Sequence, residues 1–126
     1  MKLINKTGGA TVKGTVISLD TANDKSFVAQ SSEYDSIGVV YEAGVADASS
    51  AWVWCNGSLA QVLYKDATAA TRGYVCIADA VNGRASDVEV PSSNPIVAEH
   101  FKEIGHVAES KNAGTNVLVL VHLHFN

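Results

Sequence analysis

The chain has 126 residues, of which 47% are hydrophobic and 17% charged, and its formal net charge is −4. At this size one domain buries about 70% of its unfolded surface, and so many apolar residues with so few charges argue against a disordered tail. Cations spread singly from Lys2 to Lys111 exclude the basic patch a nucleic-acid binder needs, and no apolar run approaches the ~18–20 residues that span a bilayer.

The start, Met1-Lys2-Leu3-Ile4-Asn5-Lys6, lacks the apolar run of a signal peptide, so the expected product is made in the cytoplasm. Gly8-Gly9 reads as a hinge, making residues 1–10 an N-terminal arm or edge strand ahead of a β domain over 11–126. Thr11 to Leu19 is rich in β-branched residues and ends at the polar turn Asp20-Thr21-Ala22-Asn23-Asp24. Short strands follow over Ser26 to Gln30 and Ile37 to Glu42. Trp52-Val53-Trp54-Cys55, Asn56-Gly57 and Leu59 to Tyr64 read as a hairpin, because Asn-Gly suits the positive φ of a type I′ turn.

Asp66 to Gly73 has a capping residue, a late cation and a terminal Gly, which predicts a one- to two-turn helical connector. Tyr74 to Ile77 is a strand, with Asn82-Gly83 a turn before Val88-Glu89-Val90. Asn94-Pro95 starts a short helix through Glu99 and Phe101, and Ile104 to Val107 is extended. Thr115 to Phe125 is the longest strand: Val117, Val119, Val121, Leu123 and Phe125 line one face, and the other passes from Leu118 and Leu120 to His122 and His124. The pattern predicts a mainly β, single-domain barrel or sandwich of short antiparallel strands with one or two short helical connectors.

Ile37-Gly38-Val39-Val40-Tyr41-Glu42 echoes Ile104-Gly105-His106-Val107-Ala108-Glu109 as Ile-Gly-x-Val-x-Glu. Each is followed by a small-residue loop with a Gly and then a hydrophobic strand, so two similar hairpins are expected. In each, the Gly permits a close backbone approach or marks a bulge. The echo is short for a duplication and supports more directly two strands closing one barrel or sandwich.

Catalytic motifs are absent, and loop acids such as Asp20, Asp66 and Asp79 read as turn formers, so no enzyme and no cofactor are expected. Cys55 and Cys76 lack metal or redox spacing and read as two buried thiols, with a cross-strand disulfide the alternative. His122 and His124 share a face and could hold a metal with His100 and His106, yet a polar sheet face or subunit contact is the preferred reading. Trp52 and Trp54 also share a side, which fits a core, an interface or a sugar-stacking surface.

The order of these features resembles the small decoration (cement) proteins of tailed-phage heads. The likeness rests on the short leader into Thr11-Val12-Lys13-Gly14-Thr15-Val16, on Ile37-Gly38-Val39-Val40, and on Trp52-Val53-Trp54 with Asn56-Gly57 and Leu59-Ala60-Gln61-Val62. It continues through Ala69-Ala70-Thr71-Arg72-Gly73-Tyr74 and the closing pair from Ile104 to Ser110 and Gly114 to Val119. The resemblance implies a non-enzymatic phage virion protein on the outer capsid surface. It would bind between major capsid protein subunits and stabilise the assembled shell, frequently as a homotrimer. No contact residue transfers from the family. The expected capsid contact is the arm Lys2, Leu3, Ile4, Asn5 and Lys6, with His122 and His124 as subunit-interface candidates. The alternative is a head-fibre or tail-associated module that binds a host surface glycan.

Overall fold

The computed structural model describes residues 1–90 and 97–125. Strands β1 (Lys2–Asn5), β2 (Val16–Leu19), β3 (Ser26–Ala29), β4 (Ser36–Val40) and β5 (Ser50–Trp54) close into a barrel in the order β1-β3-β2-β4-β5. Strands β6 (Leu59–Leu63), β7 (Val75–Ala78) and β8 (Ala85–Val88) come next, then helix α1 (Val97–Lys102), β9 (Glu103–Val107) and β10 (Leu118–Leu123). These later strands form a second sheet, β6-β10-β9-β7-β8. The fold is mainly β and contains a barrel, as the period-two pattern implies.

The two five-stranded units are copies of one design. Read from the other edge, the second sheet is β8-β7-β9-β10-β6, which repeats β3-β2-β4-β5-β1 strand for strand. The registers match as well. Lys2–Trp52, Leu3–Ala51 and Ile4–Ser50 in the first unit correspond to Gln61–Leu120, Val62–Val119 and Leu63–Leu118 in the second. The parallel pair Asn5–Phe27 that closes the barrel corresponds to the parallel bridge Tyr64–Ala85. Loop bonds repeat too: Gly14 N–H donates to Val40 O as Gly73 N–H donates to Val107 O, and Asp20 N–H donates to Ser26 O as Asp79 N–H donates to Arg84 O. Left-handed backbone recurs at the paired positions Gly8 and Ala67, Gly14 and Gly73, Lys25 and Gly83, and Ala48 and Asn116.

The Ile-Gly-x-Val-x-Glu echo is the most visible part of this repeat, and each of its fixed residues has the same task twice. A Cβ on Gly38 would lie 2.6 Å from Trp54 O, and one on Gly105 would lie 2.2 Å from His122 O. Only glycine lets these paired backbones come so close. A register shift sits opposite each glycine, between Ile17 and Ser18 and between Cys76 and Ile77. The glutamates cap the adjoining strands: Glu42 Oε2 accepts the Trp52 N–H at 3.2 Å and Glu109 Oε1 accepts the Leu120 N–H at 2.9 Å.

Each unit fills its own interior. Leu3, Ile17, Phe27, Val40, Ala51 and Val53 pack inside the barrel, and Val62, Cys76, Ala85, Val107, Val119 and Val121 hold the corresponding positions in the second sheet. The units meet along one seam, where the outward-facing Val16 and Val39 of the barrel join the second core. Gly14 is pressed there against Leu118 and the backbone of Leu63, whose N–H donates to Gly14 O. Gln30 is buried in the seam, donating from Nε2 to Asp79 O at 3.1 Å and accepting the Gly83 N–H at 2.9 Å through Oε1. Satisfying both ends of this amide offsets the cost of burying it.

Several local expectations change. Lys2–Asn5 is not an arm or an edge: β1 pairs with β3 on one side and β5 on the other, as a stave of the barrel. Gly8-Gly9 is no free hinge, because the Asn5 side chain donates to Gly9 O and Gly8 N–H donates to Asp47. Asn56-Gly57 does turn the chain, but it joins the two units instead of closing a hairpin. Gly57 has φ +86° and Asn56 is not left-handed, whereas a type I′ turn needs positive φ at both residues. The turn is stitched to the end of β10 through Gly57 N–H to Leu123 O and Leu123 N–H to Ser58 O. Asn82-Gly83 does lie between paired strands, β7 and β8.

Asp66 to Gly73 forms turns and no helix, since the Asp66 carboxylate is spent on the Asn116 N–H and Ala70 bridges to Lys111. The strand expected from Thr11 shrinks to Val16–Leu19, because Gly14 is left-handed and the chain turns there. The short helix and the extended Ile104–Val107 are present, while Asn94 and Pro95 lie outside the described residues. Cys55 is half-buried, Cys76 is buried, and both are free thiols.

Candidate functional site

Two surface features stand out, and both lie on the paired hairpins that the repeat creates. In the first unit, β4–β5 and the start of β1 carry an aromatic face. Met1, Tyr41, Trp52, Val53 and Trp54 line an open groove of about 250 Å³. Trp52 is 49% exposed, and Met1 and Tyr41 are similarly open. Trp54 is half-buried against the second core and meets Tyr41 edge to face, with ring centroids 4.8 Å apart. Two cations cover these rings: Lys2 Nζ lies 5.4 Å from the Trp52 centroid, and Lys13 Nζ lies 5.7 and 5.9 Å from Tyr41 and Trp54. Such contacts contribute about 0.5–1 kcal/mol each at exposed sites and hold the rings in place.

The N-terminal residues expected to touch a capsid divide by the alternation of β1. Leu3 and Asn5 are buried, so neither is available to a partner. Lys2 is exposed, Ile4 and Lys6 are half-buried, and only Lys2 borders the aromatic groove.

The second unit carries imidazoles on the matching hairpin. Register places His106 opposite His122, as it places Val39 opposite Trp54 in the first unit. Val39 is covered by the neighbouring unit, whereas His106 and His122 face solvent, which explains the change of chemistry at equivalent positions. His106 Nδ1 lies 2.6 Å from His124 Nε2, and Glu103 Oε1 lies 3.0 Å from the same His124 nitrogen and 3.8 Å from His106 Nδ1. His100 Nδ1 is 3.6 Å from the other carboxylate oxygen of Glu103. Burial holds His124 below the usual imidazole range, a shift opposed by Glu103 and reinforced by His106, His122 and His100. Its neutral form keeps a lone pair for a proton or a metal ion.

His124 thus meets His106 and Glu103, and His122 stands apart from that cluster. Glu103 was not legible as a partner, although its spacing of three from both His100 and His106 was a signal. Tyr41 was missed as an aromatic-face residue because only strand pairing brings it beside Trp54. Buried Tyr64 donates its hydroxyl to Cys76 Sγ at 3.7 Å, and burial pushes the Cys76 thiol up to about 12, which makes it an inert core group. Comparison with protein-family models and with curated proteins finds no match to this chain.

Proposed function

We propose that this chain is a structural protein of a phage virion that decorates and stabilises the assembled capsid, binding between major capsid protein subunits through the aromatic face of its first unit. The observation that carries this reading is the exposed groove of Met1, Tyr41, Trp52 and Trp54, set in an otherwise well-filled pair of β units. Aromatic residues and methionine are enriched at the centres of protein interfaces, and exposed aromatics are the usual anchors of binding energy. Lys2 and Lys13 at its margin favour a partner surface with acidic groups beside apolar ones. The duplicated, locally tied architecture suits a rigid clamp that loses little entropy on docking. A ligand that binds only the mature lattice stabilises it by mass action, and many copies multiply modest contacts.

The working assembly is a homotrimer on the capsid's outer surface, with no enzymatic step, no nucleic acid and no membrane involved. The contact set differs from the N-terminal stretch suggested by sequence: Lys2 stays, and Met1, Tyr41 and Trp52 replace Leu3 and Asn5.

The glycan-binding reading is favoured by the exposure of Trp52, since sugars stack on open indole faces. Two observations weigh against it. Lys2 lies over the Trp52 ring, and the described residues that line the groove are mostly apolar, with the neighbouring Glu42 carboxylate already accepting the Trp52 N–H. Co-sedimentation of the purified chain with undecorated capsids tests the proposal. Trp52→Ala and Lys2→Glu should weaken capsid binding about tenfold or more, while Leu59→Ser, at an exposed apolar residue of the second unit, should leave it unchanged. Equal binding by all three variants would remove the aromatic face from the account.

A further inference from the structure

The Glu103, His106 and His124 cluster belongs to no part of the capsid reading, and its geometry is unusual for a polar surface network. Three ligand atoms converge on one point. His124 Nε2 faces both His106 Nδ1 at 2.6 Å and Glu103 Oε1 at 3.0 Å, yet one nitrogen holds at most one proton, so the two contacts cannot both be well-directed hydrogen bonds. The Glu103 side chain is only 12% exposed, and among the described residues its ion-pair partners are imidazoles alone. A largely buried carboxylate with no permanent cation beside it is costly.

We infer that Glu103, His106 and His124 form a binding site for a divalent transition-metal ion of the zinc class, held on the solvent-facing side of the β9–β10 pair. The distances are close to those of a zinc site. The three ligand atoms lie 2.6, 3.0 and 3.8 Å apart, against about 3.3 Å between the ligand atoms of a tetrahedral zinc ion, so small side-chain rotations bring all three to about 2.0–2.2 Å from one ion. A cation there is bound by both ring nitrogens through their lone pairs and neutralises the carboxylate, which resolves the proton conflict and the charge deficit together. Two imidazoles and one carboxylate suit zinc, nickel or cobalt better than the oxygen-seeking calcium and magnesium. Three protein ligands leave a fourth position for water.

The fold supplies the site with only side-chain adjustment. Glu103 and His106 come from β9, His124 follows β10, and the register that pairs Leu123 with Gly105 brings them together. The close approach allowed by Gly105 therefore sets the distance across which the metal is held. His122, one pair further along, lies outside the three-residue group. This inference does not depend on what the aromatic face binds.

The test uses the full chain, stripped with EDTA, dialysed and titrated with zinc chloride by calorimetry, with cobalt(II) absorption as a second readout. The expected result is saturable binding of one ion per chain and a zinc-dependent rise in Tm. His106→Ala, His124→Ala and Glu103→Gln should each weaken binding, by about 100-fold for loss of an imidazole, while His122→Ala stays within about twofold of the native chain. Circular dichroism of each metal-free variant separates a lost ligand from a lost fold. Absence of saturable zinc binding in the native chain would overturn the inference. So would binding that survives in a folded His106→Ala/His124→Ala double variant, or that is lost in His122→Ala instead.

Discussion

Gly105→Ala is the sharpest structural test, because the repeat provides its own controls. A Cβ at residue 105 would lie 2.2 Å from His122 O, 2.8 Å from Val121 Cγ1 and 3.0 Å from the His122 carbonyl carbon. Two of these are backbone atoms of the partner strand, so no side-chain rotation relieves the clash. Restoring ordinary contact requires β9 and β10 to separate by about 1 Å, which strains the Leu123–Gly105 and His122–His106 pairings. Overpacking of this kind costs about 1–3 kcal/mol, and two weakened backbone hydrogen bonds add about 1 kcal/mol each, for a total of about 3–5 kcal/mol. For a domain of this length that is a fall in Tm of about 10–20 °C. Gly38→Ala, 2.6 Å from Trp54 O, should behave similarly in the first unit. Gly8→Ala is the contrast: φ is +85° but nothing lies within 4 Å, so only left-handed strain of about 1–2 kcal/mol is expected. Urea unfolding with the slope monitored reads all three. If Gly105→Ala and Gly38→Ala cost no more than Gly8→Ala, the close-approach account of the repeated Ile-Gly pair is wrong.

Further outcomes follow from the core, the seam and the caps. Gln30→Ala removes the amide bridging Gly83 and Asp79 and leaves the Asp79 carbonyl without this donor; a loss of about 1–3 kcal/mol in urea unfolding is expected. Glu109→Ala should cost about 1–2 kcal/mol while Glu109→Gln, which can still accept the Leu120 N–H, costs less, and equal losses would deny the capping role. At pH 8 a thiol reagent should modify Cys55 readily and Cys76 only as fast as the protein opens, since burial holds the Cys76 thiol up to about 12; fast labelling of both would contradict the burial of Cys76. Light scattering of the purified chain should give three times the monomer mass, and a monomer at every concentration would remove the trimer from the proposal.

The sequence made the strands legible and hid their arrangement. Alternation in Val117 to Phe125 marks a half-buried strand whatever its neighbours are, so the longest strand could be read locally. The repeat could not, because few positions keep their residue: some with a backbone duty, such as Gly14 and Gly73, Asp20 and Asp79, Gly38 and Gly105, and Glu42 and Glu109, and scattered apolar ones, such as Ile37 and Ile104, Val40 and Val107, and Val53 and Val121. Outward positions answer to what covers them, so Val39 became His106 and Trp54 became His122. Asn56-Gly57 misled for a related reason. A turn signal reports local φ, and here the chain after the turn pairs with β10 instead of folding back on β5. Leu3 and Ile4 looked like an arm because four residues carry no sign of which strands flank them, and closure with both β3 and β5 is a long-range fact. Among the site residues, the histidines were visible as ligand types, but their grouping with Glu103 needed the register of β9 on β10.

The proposal stands or falls on the aromatic face meeting a capsid. The measurement is binding of the purified chain to undecorated phage shells assembled from a major capsid protein, read as sedimented protein and as the temperature at which the shells open. Saturable binding that raises the opening temperature, and that Trp52→Ala loses while remaining folded, is the expected result. A native chain that leaves such shells unbound and no more heat-resistant would contradict the account.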